Sequence, residues 1–176
     1  MMQAVLMCGS LAFSQQPRIS DIAAFTAPKG WRSEETTLLG EPLVAFSSGG
    51  LRISLELFGG KDSRHETEKA FLESFEARGD DDKPAASLGK VKVSGLKVQA
   101  YARRYSMSGR GRDPEDRARP EVLDQQFVVL PAGGRFLVVS WTRGALPDMA
   151  GAPATEKLQP EFARFLKGVR IRRSPR

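Results

Sequence analysis

Alternation of apolar and polar side chains over Leu51–Phe58 is the feature that most constrains the fold of this chain. The apolar positions are Leu51, Ile53, Leu55 and Leu57, and the polar positions between them are Arg52, Ser54 and Glu56. A repeat of two places each set on its own face of a β-strand, so this strand belongs to a sheet with one buried and one solvated face. Phe58 departs from the alternation, which predicts that its ring lies beneath a loop or a helix.

Short turn sequences join this strand and five others into three hairpins. The predicted strand pairs are residues 43–47 with 51–58, residues 90–93 with 96–107, and residues 122–130 with 135–142, connected by residues 48–50, 94–95 and 131–134. Connections of this length, all containing Gly, permit only antiparallel pairing. The sequence therefore predicts an antiparallel sheet, with a further short strand at residues 169–171.

Two segments have the apolar spacing of amphipathic helices. Ser63 and Glu66 have the spacing of a capping box, which predicts a helix over residues 64–78. Pro160 suits the first position of a second helix, whose apolar residues recur at helical spacing in Phe162, Phe165, Leu166 and Val169. Helices of this kind bury their apolar stripes against a sheet. The predicted fold class is α+β, an antiparallel sheet flanked by two amphipathic helices.

An uncharged apolar run at residues 4–13 precedes the predicted domain. Its length is typical of a signal peptide, Ala12 and Ser14 suit the −3 and −1 positions of a cut before Gln15, and it is too short to span a bilayer. We expect a signal peptide at residues 1–14, a linker at 15–23, one domain at 24–173 and a basic tail at 174–176. A buried N-terminal strand is the alternative, since no Lys or Arg precedes the run.

The residues available for chemistry are few. His65 is the only histidine and Cys8 the only cysteine, so one chain cannot assemble the usual His/Cys metal clusters or an internal disulfide. His65 is predicted on the surface, in the first turn of the first helix. The paired carboxylates Glu34 and Glu35 fall in a segment that reads as a loop. No catalytic signature motif occurs, and we expect no enzyme activity, no metal and no cofactor.

The strand that includes Lys97 and Tyr105 supplies the first candidate binding surface. Tyr101, Arg103 and Tyr105 share one of its faces, and the small residues Ala100 and Ala102 lie on the other. Tyr and Arg are enriched at protein interfaces, so the first face is predicted to bind a protein partner. In the alternative interpretation both tyrosines lie under a helix.

An arginine-rich segment supplies the second candidate. Residues 108–120 contain no large apolar side chain and are predicted as a mobile loop. Residues 143–158, rich in Gly, Ala and Pro, are predicted as a second long loop. Arg110 and Arg112, together with the basic C-terminus, form a predicted site for an anionic lipid surface or an acidic protein. The net charge of +6 agrees with such partners. A solvated loop is the alternative, and no nucleic-acid partner is expected.

Three motifs resemble the PsbP-like superfamily, which includes the photosystem II extrinsic protein and bacterial DcrB-like proteins. They are Phe25-x-x-Pro28-x-Gly30-Trp31, Val91-x-Val93-x-Gly95 and Phe162-x-x-Phe165-Leu166. The resemblance covers residues 22–173 and implies an α/β/α sandwich with a non-enzymatic role in binding or assembly. It carries over no functional residue, because the motifs hold only structural positions.

The predicted signal peptide and the resemblance to the PsbP-like superfamily together predict an exported accessory or binding protein of a bacterial cell envelope. We expect it in the periplasm or on the envelope. The alternative is a cytosolic chaperone or adaptor for a secreted effector, as the DcrB-like resemblance also implies. The two hypotheses differ in compartment, because an uncleaved leader would leave the protein in the cytoplasm.

Overall fold

The computed structural model describes residues 17–74, 85–107, 121–145 and 156–172. Its strands are β1 (Ala23–Ala24), β2 (Arg32–Leu38), β3 (Glu41–Ser48), β4 (Leu51–Phe58), β5 (Ala86–Val93), β6 (Leu96–Met107), β7 (Glu121–Ala132), β8 (Arg135–Ala145) and β9 (Arg170–Ile171). Its helices are α1 (Ile19–Ile22), α2 (Glu68–Glu73) and α3 (Pro160–Gly168).

Seven strands form one antiparallel sheet in the order β2-β3-β4-β8-β7-β6-β5. Two hairpin-linked meanders, β2 to β4 and β5 to β8, meet where β4 pairs with β8 over the whole length of β4. The predicted antiparallel sheet is confirmed, and the three predicted hairpins are all present. The strands β4 and β6 have the predicted bounds, whereas β3, β5, β7 and β8 are longer than predicted.

One face of the sheet packs beneath α3 and forms the larger core. Phe162 and Val169 are completely buried there, and Phe46 packs against Phe165 with ring centroids 5.8 Å apart. The apolar residues of β4 and β8 meet on this face in register, as in the pair Leu55 and Val139. The predicted amphipathic helix at Pro160 is therefore confirmed, and its stripe covers this face as expected.

The segment expected to be a linker is part of the fold from residue 17 onward. It contains α1 and the first residue of β1, and both Ile19 and Ala23 are only 1% exposed in the larger core. The strand β1 pairs with the C-terminal β9. A helix of one turn and a strand of two residues are too short to show a periodic pattern, which explains why the sequence suggested a linker.

The opposite face is covered only in part by α2. Phe71 of this helix packs against Phe58, Phe127 and Phe136, with ring centroids 5.4 to 5.9 Å apart. The expectation that Phe58 lies beneath a helix is confirmed. The described helix has six residues, so it covers one end of this face of the sheet and does not reach the other end.

The predicted capping box is wrong, because the helix begins later than Ser63. Thr67 is the N-cap, and its hydroxyl accepts a 3.1 Å hydrogen bond from the backbone N–H of Ala70. The Ser63 hydroxyl instead accepts a bond from the Gly59 N–H and lies 2.9 Å from the carboxylate of the buried Glu41. Ser63 and Thr67 both carry a hydroxyl and are followed by polar residues, so the sequence alone did not show which of them is the N-cap.

His65 lies outside the helix and is half-buried, so its predicted place in a solvent-facing helical turn is also wrong. Its ring packs edge-on against Phe58 and Phe71, at centroid distances of 5.4 and 5.3 Å. The imidazole is thus part of the aromatic cluster beneath α2. Glu34 and Glu35, expected in a loop, lie in β2, every residue of which is exposed.

Several predictions concern residues outside the described ranges. These are the signal peptide at 1–14, the loop at 108–120 with Arg110 and Arg112, the end of the first predicted helix at 75–78, most of the second loop at 143–158, and the tail at 174–176. Among the described helices, none has the length and hydropathy needed to cross a bilayer.

Candidate functional site

The face of the sheet that carries α2 changes from apolar to polar along its strands. In β4 this face presents Phe58 at one end and Ser54 and Arg52 at the other, and in β8 it presents Phe136 and then Thr142. The change from apolar to polar side chains occurs at the same level in both strands, because Phe58 pairs with Phe136 and Arg52 pairs with Thr142. The apolar end accepts α2, and the polar end has no apolar stripe to attract a helix.

A cavity of about 830 Å³ occupies the polar end. We call it the polar cleft. Its lining comes from β2, β3, β4, β6, β7 and β8, and includes Glu34, Thr36, Leu38, Leu43, Arg52, Ser54, Glu56, Tyr105, Glu121, Leu123, Gln125, Ser140 and Thr142. Six neighbouring strands of one sheet thus supply its lining.

Hydrogen bonds order the floor of the polar cleft. The hydroxyls of Ser54 and Ser140 lie 2.8 Å apart across the β4–β8 ladder, and both side chains are buried. Each buried hydroxyl therefore has a hydrogen-bond partner on the neighbouring strand.

Glu56 is the carboxylate closest to the boundary between the polar and apolar ends. Its Oε2 lies 3.5 Å from Nη2 of Arg64, whose guanidinium also stands over the ring of Phe58. Burial raises the pKa of Glu56, and the attraction of Arg64 and Arg52 offsets this rise only in part. The cleft therefore holds a carboxylate whose ionised form loses more from burial than it gains from the neighbouring arginines.

Tyr101, Arg103 and Tyr105 lie on this face of β6, as the alternation predicted. Arg103 stands over the ring of Tyr105, with its Cζ atom 4.3 Å from the ring centroid, and its Nε donates a 2.7 Å hydrogen bond to Oε1 of Gln125. Tyr105 and Gln125 line the polar cleft. These contacts hold an aromatic ring and a guanidinium in a fixed stack at the wall of the cleft.

Tyr101 occupies a different environment from Tyr105. It stacks on Phe127 with ring centroids 5.2 Å apart and packs against the cluster beneath α2. Burial raises the pKa of its hydroxyl, and the charge of Glu68 adds to the rise. Tyr101 therefore follows the alternative interpretation, in which the ring lies under a helix, whereas Tyr105 lies outside the cluster beneath the described part of α2. The binding role of Tyr101, Arg103 and Tyr105 stays a prediction.

Charged groups of both signs surround the polar cleft. The carboxylates of Glu34, Glu56 and Glu121 line it together with the guanidinium of Arg52, and the guanidinium groups of Arg64 and Arg103 lie beside Glu56 and Tyr105. Within the described part of the chain, no group of three His, Cys, Asp or Glu side chains is arranged to hold a metal ion. The arrangement is suited to polar and ionic contacts with a protein partner.

A second polar cluster lies on the face that carries α3. Asp124 is 3% exposed and accepts hydrogen bonds from Arg104, at 2.7 and 3.0 Å, and from Arg143, at 2.6 Å. Burial by itself would raise the pKa of Asp124, but the hydrogen bonds and charges of Arg104 and Arg143 outweigh it and lower the pKa. This cluster joins β6, β7 and β8 and is structural.

The sequence missed most of the polar cleft, because its residues come from six strands and form no local motif. One signal was present. The polar positions of Leu51–Phe58 were assigned to a solvated face, and those positions supply Arg52, Ser54 and Glu56 to the cleft. The contributions of Glu34 and Thr36 could not be recognised, since their segment was not predicted as a strand.

The similarity of this chain to known proteins is confined to solved structures. No protein-family model matches the chain, and no curated protein matches it. Among solved structures, the chain shows weak similarity to LpqN of Mycobacterium tuberculosis, whose crystal structure is described as that of a protein involved in cell envelope biogenesis. The TM-score is 0.44 and the identity 13%, over 85% of this chain and 82% of LpqN. The resemblance to the PsbP-like superfamily stays a prediction.

Proposed function

We propose that this chain is a non-catalytic accessory protein of a bacterial cell envelope and that it binds a protein partner in the polar cleft. The observation that carries the proposal is the fixed stack of Arg103 on Tyr105 at the wall of a cavity of about 830 Å³. Aromatic and guanidinium groups held in place before binding lose little side-chain entropy when a partner arrives, and such residues dominate the energetics of protein interfaces.

The chemistry of the cleft favours a protein over an anionic surface. Its lining combines apolar, hydroxyl and charged side chains of both signs, which suits the mixed surface of a protein better than a layer of lipid phosphates. The hydroxyls of Ser54 and Ser140 on its floor are hydrogen-bonded to each other. The second predicted site, at Arg110 and Arg112, lies outside the described residues and contributes nothing to this proposal.

Photo-crosslinking inside the cell tests the proposal. A photoreactive amino acid replaces Leu123, which lines the polar cleft, and the matched control replaces Lys97, an exposed residue of the β5–β6 hairpin. We expect a discrete protein adduct from position 123 that is absent from position 97. Identical adducts at both positions, or none at position 123, would contradict the proposal.

The identified partner then allows a quantitative test of the stacked pair. Tyr105→Ala should weaken its binding about thirtyfold, which corresponds to the loss of about 2 kcal/mol that defines an interface hot spot. Lys97→Ala serves as the control and should leave the Kd unchanged. An equal Kd for the parent and Tyr105→Ala would exclude the stack as an anchor.

Compartment is tested separately. The export hypothesis predicts that the native protein begins at Gln15 and is released with the periplasmic fraction. An intact N-terminus in the cytosolic fraction would instead support the chaperone or adaptor alternative. In that case the protein would act in the cytoplasm, and the proposal that the polar cleft binds a protein partner would be unaffected.

A further inference from the structure

Strand β2 forms one edge of the main sheet and pairs with β3 on one side only. The pairing is regular from Arg32 opposite Ser47 to Leu38 opposite Glu41. The turn between them has two residues, Leu39 and Gly40, with φ of 52° and 88°. Two consecutive positive φ values characterise a type I′ hairpin, in which the closing pair exchanges both backbone hydrogen bonds.

The turn geometry determines which backbone groups of β2 point outward. Hydrogen-bonded and non-hydrogen-bonded pairs alternate along an antiparallel ladder, so Leu38 bonds to β3 and Thr37 does not. Pro42, which has no N–H, lies opposite Thr37 and agrees with this assignment. The N–H and C=O groups of Ser33, Glu35 and Thr37 therefore point away from the sheet.

These outward groups have no partner among the described residues. None of the backbone or side-chain hydrogen bonds there involves the main chain of Ser33, Glu35 or Thr37. All residues of β2 are exposed. Unpaired groups in a row on a regular strand form a template for one more strand.

The other edge of the sheet is protected. Strand β5 has a register shift between Ser87 and Gly89 and carries Lys90 and Lys92. The side-chain amide of Gln99 donates 2.8 Å hydrogen bonds to the carbonyl of Gly89 and to the hydroxyl of Ser87. Bulges and lysines are the usual means of preventing strand addition. Strand β2 has no bulge, no proline and no lysine.

The charges on β2 select the occupant of this edge. Glu34 and Glu35 project to opposite faces, and neither forms an ion pair within the described part of the chain. A second copy of the chain, paired along the full strand, would set its Glu35 directly opposite Glu35, which is destabilising. A strand with two consecutive basic residues would instead place one opposite each carboxylate.

We propose that the outer edge of β2 binds an extended, basic segment of a partner protein, which adds a strand to the sheet. The backbone of Ser33, Glu35 and Thr37 supplies the affinity, and the carboxylates of Glu34 and Glu35 supply the preference for adjacent Lys or Arg. The inference goes beyond the proposed function, because it uses the outward backbone of β2 and holds even if the polar cleft binds nothing.

Amide hydrogen exchange on the full chain tests this inference. The probe is a blocked synthetic peptide, Val-Thr-Val-Lys-Lys-Thr-Glu, and its charge-reversed form, Val-Thr-Val-Glu-Glu-Thr-Lys, is the control. We expect exchange at Ser33, Glu35 and Thr37 to slow about twofold when the basic peptide is present at its Kd, and further above it. The charge-reversed peptide should have no effect.

Two variants separate the backbone contribution from the charge contribution. Glu35→Pro removes one outward N–H but none of the bonds to β3, and should abolish the slowing at Ser33 and Thr37. Glu35→Thr retains the N–H, and should bind the basic peptide more weakly than the parent does. The inference is overturned if neither peptide slows exchange, if both act equally, if Glu35→Pro binds as the parent does, or if the three amides are protected before peptide is added.

Discussion

The side-chain amide of Gln126 and the backbone N–H of Gln159 are joined by a 2.8 Å hydrogen bond that fixes the start of α3 on the sheet. The same amide donates to the carbonyl of Lys157, also at 2.8 Å, and Gln126 is completely buried. Helix starts leave backbone N–H groups without partners inside the helix. Here one side chain from β7 holds the segment that leads into Pro160.

Replacing this amide should therefore destabilise the fold. Gln126→Leu leaves both backbone groups without a partner and should lower the free energy of unfolding by about 1–3 kcal/mol. The matched control is Gln125→Leu, on the opposite face of the same strand, which should cost less. Urea denaturation measures both, and equal losses would contradict the assignment of Gln126 as the anchor of α3.

Asp124 should make the stability depend on pH in the acidic range. Because Arg104 and Arg143 lower its pKa in the folded state, its contribution is present above the unfolded-state pKa and is lost as pH falls through the folded-state pKa. Asp124→Asn should cost about 3 kcal/mol at neutral pH and reduce the loss of stability on acidification. Denaturation between neutral pH and about pH 3 provides the measurement, with the exposed Asp62→Asn as control.

Glu56 should have the opposite effect. Since burial raises its folded-state pKa, the ionised form opposes folding, and stability should increase as pH falls through that pKa. Glu56→Gln should therefore fold at neutral pH with at least the stability of the parent, and this advantage should shrink in acid. Glu73→Gln, in an exposed pair with Lys69, should have little effect at either pH. A marked loss at neutral pH for Glu56→Gln would refute the prediction.

Gly59 permits a close backbone approach between β4 and the β7–β8 hairpin. Its φ is 102°, and a Cβ atom there would lie 2.9 Å from the Cα of Arg135. Gly95 also has a positive φ, 82°, but open space around it. Gly95→Ala should cost about 1–2 kcal/mol from backbone strain, and Gly59→Ala about 1–3 kcal/mol more from the clash. Thermal or urea unfolding of both variants measures the difference.

Elements with one buried face could be predicted from the sequence, and elements without one could not. The alternation in β4 and the helical spacing of Phe162, Phe165 and Leu166 each reflect burial on one side, which is the physical origin of periodicity. Strand β2 is exposed on both faces, so nothing in its sequence alternates. Strand β2 is held in its extended conformation by backbone pairing with β3.

The candidate site was predictable only where it coincided with a strand face. Tyr101, Arg103 and Tyr105 were placed on one face by alternation alone, and the structure agrees. The difference between Tyr101 and Tyr105 depends on how far α2 reaches across the sheet, which is a tertiary property. Sequence spacing cannot show which of two residues on the same face lies beneath a helix.

The pairing of β1 with β9 brings residues near both ends of the described fold side by side. Ala23 lies opposite Ile171, so their Cα atoms are about 5 Å apart. A short peptide can therefore join the ends of the described fold into a ring, and the ring can be reopened in a hairpin such as Gly133-Gly134 to give a circular permutant. Reporter domains fused before α1, whose Ile19 belongs to the core, and after β9 would likewise emerge close together.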